Sequence, residues 1–158
     1  MNLTVVLKGV LCDKVTDNPI AFPEHKMHVR SSTGKTDELN YKVLGEFSLG
    51  TFVTGEPKLL NIALFAGDIF AVSPDKPVPF VRFHFYEQEM DAFDYFVGLV
   101  FVDVESGDVK MRVGEDTLDE GTVFPGEYSF HEFDGAKKFL MQGNGGIYRA
   151  FITTQSSL

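Results

Sequence analysis

Phe80-Val81-Arg82-Phe83-His84-Phe85-Tyr86 and Tyr95-Phe96-Val97-Gly98-Leu99-Val100-Phe101-Val102 are the two segments on which the reading of this chain turns. In the first, Val81, Phe83 and Phe85 alternate with Arg82, His84 and Tyr86. That two-residue period belongs to a strand with one face in a core and the other toward water. The second segment is apolar on both faces, which predicts a strand covered on two sides, with Phe101 packed as deeply as Phe83. An acidic connector, residues 87–94, joins them; its Met90 and Phe93, three apart among good helix formers, make it the only helix candidate.

Working outward, short apolar stretches separated by turn residues recur along the chain. Residues 3–12 read as a strand with Leu3, Val5, Leu7 and Leu11 on one face and Gly9 placed for a bulge or close packing. Residues 27–31, 41–53, 58–65 and 69–72 read as extended runs, broken by Asp17-Asn18-Pro19, Gly55-Glu56-Pro57 and the proline-rich stretch 73–79. Ser106-Gly107 predicts a hairpin turn into 109–113, and Gly143-Asn144-Gly145-Gly146 another between 137–142 and 147–154. Residues 114–121 read as acidic with one helical turn, 122–133 as an interrupted strand carrying His131, and 155–158 as a frayed tail. About ten short strands at intervals of about 8–12 residues give an all-β chain. The expected architecture is a single β-sandwich domain over residues 1–154, with a closed antiparallel β-barrel, lipocalin- or allene-oxide-cyclase-like, as the alternative.

At 158 residues the chain can bury roughly 70% of its unfolded surface without metal or disulfide. Sixteen Phe and no Trp suit a dry core better than a sugar-stacking platform. Cys12 stands alone, ends an apolar run, and reads as a buried inert thiol. The N-terminus lacks a basic leader and Lys8 interrupts its apolar run, so a soluble cytoplasmic protein is expected. Net charge is −9, but residues 87–134 hold fourteen acidic residues against Lys110 and Arg112, a local −12 that leaves +3 for the rest. That field repels nucleic acid and anionic membranes and suits a basic partner protein. The expected contacts are Glu87, Glu89, Asp91, Asp94, Asp103, Glu105, Asp108, Glu115, Asp116, Asp119 and Glu120.

No nucleophile elbow, phosphate loop or dinucleotide fingerprint is present, and no catalytic residue is assigned. Arg82, His84 and Tyr86 share one strand face and, with His131, form the expected floor of a small-molecule site. A cupin-like metal enzyme would use His84 with Glu87 or Glu89, and Pro125-Gly126 with His131, but the His-x-His of that arrangement lacks its second histidine. His25 and His28 point to opposite faces of a strand. Calcium is the nearest cofactor candidate, through Asp103, Glu105 and Asp108 with Glu115, Asp116, Asp119 and Glu120, yet the spacing is not that of an EF-hand; no metal or cofactor is assigned.

Gly9-Val10-Leu11-Cys12-Asp13, Thr16, Pro19-Ile20, Val29, Thr36-Asp37 and Gly45-Glu46-Phe47-Ser48-Leu49 together resemble the prealbumin-like sandwich of carboxypeptidase regulatory-type domains over residues 5–65. Seven residues separate Thr36-Asp37 from Gly45 where that family keeps a short turn, and residues 80–104 have no counterpart there. The resemblance implies a non-catalytic accessory or binding module. The hydroxyisourate-hydrolysing relative needs histidines on its first strand, and residues 3–12 contain none. The closing Gly143-Asn144-Gly145-Gly146-Ile147-Tyr148-Arg149-Ala150 is similar to the last hairpin of allene-oxide-cyclase-like and dirigent barrels. The first expectation is therefore an interaction module with an acidic surface. A small-molecule or carbohydrate-binding module comes second, and a metal-dependent enzyme third.

Overall fold

The computed structural model describes residues 1–16, 26–34, 41–74, 77–88, 94–124 and 131–157. Two antiparallel sheets of five strands face one another and do not close into a barrel, so the sandwich holds and the barrel alternative falls. The first sheet runs β4 (Pro57–Asp68), β1 (Asn2–Lys14), β10 (Gly146–Ser157), β9 (Lys137–Gly143), β8 (Thr117–Thr122). The second runs β3 (Tyr41–Gly50), β2 (Lys26–Gly34), β5 (Phe80–Gln88), β6 (Asp94–Glu105), β7 (Asp108–Val113).

Alternation builds the core. Leu3, Val5 and Leu7 of β1 and Tyr148, Ala150 and Ile152 of β10 meet Val81, Phe83 and Phe85 of β5 and Val100 and Val102 of β6, all buried. A register shift between Leu7 and Gly9 reverses the phase of β1, so Val10 and Cys12 turn inward and Leu11 turns out. Leu11 then joins a separate cluster outside the first sheet with Val123, Phe133, Ala136 and Phe151, in which the Phe133 and Phe151 rings stack at 4.3 Å. Gly9 is required there, because a Cβ would run into the Phe133 ring and the Lys58 carbonyl oxygen.

The two tight hairpins form as expected. Ser106-Gly107 and Asn144-Gly145 both carry positive φ through the turn, at 53° and 84° and at 49° and 78°, the primed geometry that matches strand twist. Three local readings change. Residues 69–72 form one helical turn, Ile69–Val72, because Asp68 caps it by accepting from the Phe70 amide. Residues 117–121 of the acidic stretch belong to the edge strand β8, paired with β9, and residues 115–116 form the turn that leads into it. The expected frayed tail is ordered through residue 157, since Gln155, Ser156 and Ser157 pair with Thr4, Leu3 and Asn2. Residues 89–93, most of the helix candidate, lie outside the described residues, while residues 87–88 belong to β5.

Candidate recognition face

The second sheet turns one face to the core, and the alternate residues of β2, β5 and β6 make the other. Cross-strand register sets them in three rows: His28, Tyr86 and Phe96; Arg30, His84 and Leu99; Ser32, Arg82 and Phe101. Arg82, His84 and Tyr86 thus share one surface, as the alternation of β5 implies. A bulge in β6 beside Phe85 and Tyr86 sends Val97 inward and keeps Phe96 outward in line with Tyr86.

The rings form a continuous pavement. His28 stacks on Tyr86 at 5.4 Å and 18°, His84 tilts against Tyr86 at 5.4 Å, and Phe96 sits 5.3 Å from His84. Tyr86 is 3% exposed and is the floor; His28, His84 and Phe96 are half-buried around it. Phe101 also belongs to this face, 9% exposed beneath Arg112 and 5.9 Å from Phe80. This corrects its assignment to the core. β6 is apolar on both sides because one side is core and the other is this pavement, and no described residue forms a second layer over it.

Three arginines lie over aromatic rings of the same face. Arg30 is 4.8 Å from the Tyr86 centroid, and its Nε donates to Glu46 at 2.7 Å. Arg112 is 3.7 Å from the Phe101 centroid, and its Nε donates to Asp103 at 2.6 Å. Arg82 is 3.6 Å from the Tyr41 centroid, but its Nε donates to the neutral Ser32 hydroxyl at 3.2 Å. Stacking fixes a guanidinium plane and leaves its edge available for hydrogen bonds.

His131 does not join this surface. It sits on the short 3-10 turn His131–Phe133 outside the first sheet, its side chain 92% exposed beside Asp134. Glu87 also departs from expectation. It follows Phe85 on the inward face of β5, is fully buried, and accepts hydrogen bonds from the hydroxyls of Thr16 and Tyr148. His84, Glu87 and His131 therefore occupy the outside of one sheet, the interior, and the outside of the other sheet and are not brought together, while Glu89 and Pro125-Gly126 lie outside the described residues. Among the described residues no three His, Cys, Asp or Glu side chains converge as a metal site.

The acidic residues are distributed along the β6–β7 and β7–β8 edge and are largely paired within the chain. Asp103 meets Arg112, and Glu105 meets Lys110 at 2.9 Å. Asp119 meets Lys137 at 2.6 Å, and Glu120 meets Arg149 at 2.8 Å. Asp108, Glu115 and Asp116 are exposed at the turns. Glu89 and Asp91 lie outside the described residues, as does the side chain of Asp94.

Around Glu87 the interior is polar at one end of the sandwich. Burial, then the Glu87 carboxylate beside it, pushes the Tyr148 hydroxyl far above the usual tyrosine range. Burial likewise pushes the Cys12 thiol up. Both groups stay protonated at neutral pH, so the cluster ties β5 to β10 and holds no activated nucleophile. No helix among the described residues is long and apolar enough to cross a membrane. Sequence reasoning found Arg82, His84 and Tyr86 but not their neighbours His28, Arg30, Phe96 and Tyr41, which only cross-strand register brings alongside. The chain matches no family pattern, no curated protein and no solved structure.

Proposed function

We propose that the protein is a non-catalytic binding module that engages a partner protein through the outer face of its second sheet. One observation carries the reading: half-buried rings of His28, His84 and Phe96 pave the outer face of the second sheet, where a sandwich ordinarily turns polar residues to solvent. Aromatic surface interleaved with arginine is the composition of protein interfaces. The first sheet offers a contrast, since its own outer aromatic, Phe151, is covered by Phe133. The pairing of Asp103, Glu105, Asp119 and Glu120 with cations of this chain leaves the acidic edge a secondary role, that of excluding polyanions. The resemblance of residues 5–65 to non-catalytic prealbumin-like modules supports the same reading.

The test is a selection of binders from a random phage-displayed 12-residue peptide library on the folded protein. Phe96→Ser should weaken the selected peptides by about tenfold or more, as loss of an aromatic anchor does. The paired change Glu115→Gln with Asp116→Asn should leave them unaffected. The opposite pattern overturns the proposal in favour of the acidic edge.

A further inference from the structure

We infer that Arg82 is the anion-recognition point of this face, and that it takes an Asp or Glu carboxylate from the partner protein. The inference rests on the reading of the outer face as the recognition surface and adds the chemistry of what it recognises.

Three arginines stand on one face of the second sheet. Each lies over an aromatic ring, at 4.8 Å for Arg30, 3.7 Å for Arg112 and 3.6 Å for Arg82. Two of them carry a carboxylate on Nε, Glu46 and Asp103. At Arg82 the cross-strand neighbour in the position that Glu46 holds for Arg30 is Ser32, a neutral hydroxyl. Among the described residues no carboxylate lies within ion-pair distance of Arg82. Its guanidinium is held over Tyr41 and its Nε by Ser32, which leaves the terminal nitrogens as the donors for a carboxylate, the group a guanidinium binds with two parallel hydrogen bonds.

Charge restricts the source of that carboxylate. Asp103, Glu105 and Asp108 stand on the adjoining strands and hairpin, and the whole chain carries −9. A polyanion such as nucleic acid or an anionic bilayer is repelled over a Debye length of about 8–10 Å. A single acidic side chain among neutral or basic neighbours meets Arg82 without that penalty and sets its surroundings against the acidic hairpin. The depressions along Asn2, Thr4 and Gln155 and around Asp116 and Asn144 involve none of these residues.

The peptides selected above provide the experiment. They should share an Asp or Glu, and replacing it by Asn or Gln should weaken binding about tenfold to the native protein and hardly at all to Arg82→Gln. Ser32→Asp, which supplies Arg82 with an internal carboxylate, should weaken the acidic peptide by a similar factor, and Arg82→Lys should fall between. The substitution on the peptide needs no change in the protein, so a variant that fails to fold does not block the test. Peptides that depend on Phe96 but carry no acidic residue, or bind Arg82→Gln as well as the native protein, overturn this inference and leave the face reading standing. Peptides indifferent to Phe96→Ser, or an empty selection, overturn both.

Discussion

Tyr148→Phe removes one hydroxyl from the interior and nothing else, which makes it a clean probe of the polar cluster. The hydroxyl donates to Glu87, a carboxylate with no exposed surface, and its ring meets Phe52 edge-on at 5.9 Å. No carbon is lost, so no cavity term arises, and the cost is that of a hydrogen bond to a charged group, about 1.5–3 kcal/mol. Against a total of roughly 5–15 kcal/mol this is large. The same substitution alters the alkaline limb. Tyr148 is held protonated in the folded state, whereas in the unfolded chain it ionises near the ordinary tyrosine value of 10.0. Folding therefore retains a proton that unfolding releases, and the contribution is fully present below about pH 10 and declines above it by roughly 1.4 kcal/mol per pH unit. Cys12, also raised from its ordinary value of 9.0, adds a second decline that begins lower. Urea unfolding followed by far-ultraviolet circular dichroism, from about pH 7 to pH 11.5, should show the native protein more stable on the plateau. Its decline above about pH 10 should be steeper by one titrating group, so the two curves converge one to two units higher. Equal plateaus with parallel alkaline limbs would refute the sealed contact between Tyr148 and Glu87.

Two further substitutions test the packing. Phe83→Ala, fully buried between the sheets, should cost about 3–5 kcal/mol in denaturant unfolding, whereas Phe101→Ala, on the outer face under Arg112, should cost about 1.5–2.5. Equal costs would mean that the two faces of β6 have been exchanged. Gly143→Ala drives a Cβ into the Phe96 carbonyl oxygen, a backbone atom with no freedom to yield, and should cost about 1–3 kcal/mol in thermal unfolding. A loss below about 0.5 kcal/mol would deny the close approach of β6 to the β9–β10 hairpin.

Most of the fold was legible because its strands are locally encoded. Alternation at Val81, Phe83 and Phe85 and the Ser106-Gly107 and Asn144-Gly145 turns depend only on neighbouring residues. Where the reading missed, a distant or register-dependent effect intervened. The bulge at Lys8 moved Leu11 to the opposite face, and no periodicity announces a bulge. Glu87 looked like the start of an acidic loop because its partners Thr16 and Tyr148 lie 71 and 61 residues away. Phe101 was placed in the core because apolar residues on both sides of a strand ordinarily signal two covering layers. Half of the candidate face could be read from β5 alone. The other half, His28, Arg30 and Phe96, required the order in which strands pair.

Resonance shifts on peptide binding report on the apolar outer side of β6. Amide and ring resonances of the labelled protein, titrated with the tightest selected peptide, locate the contact residue by residue. Saturable shifts are expected at His28, Arg30, His84, Phe96 and Leu99, with Tyr41 and Arg82 following the acidic residue of the peptide. Shifts gathered instead at Asp108, Glu115 and Asp116, or on the outer side of the first sheet around Leu118 and Phe133, would contradict it.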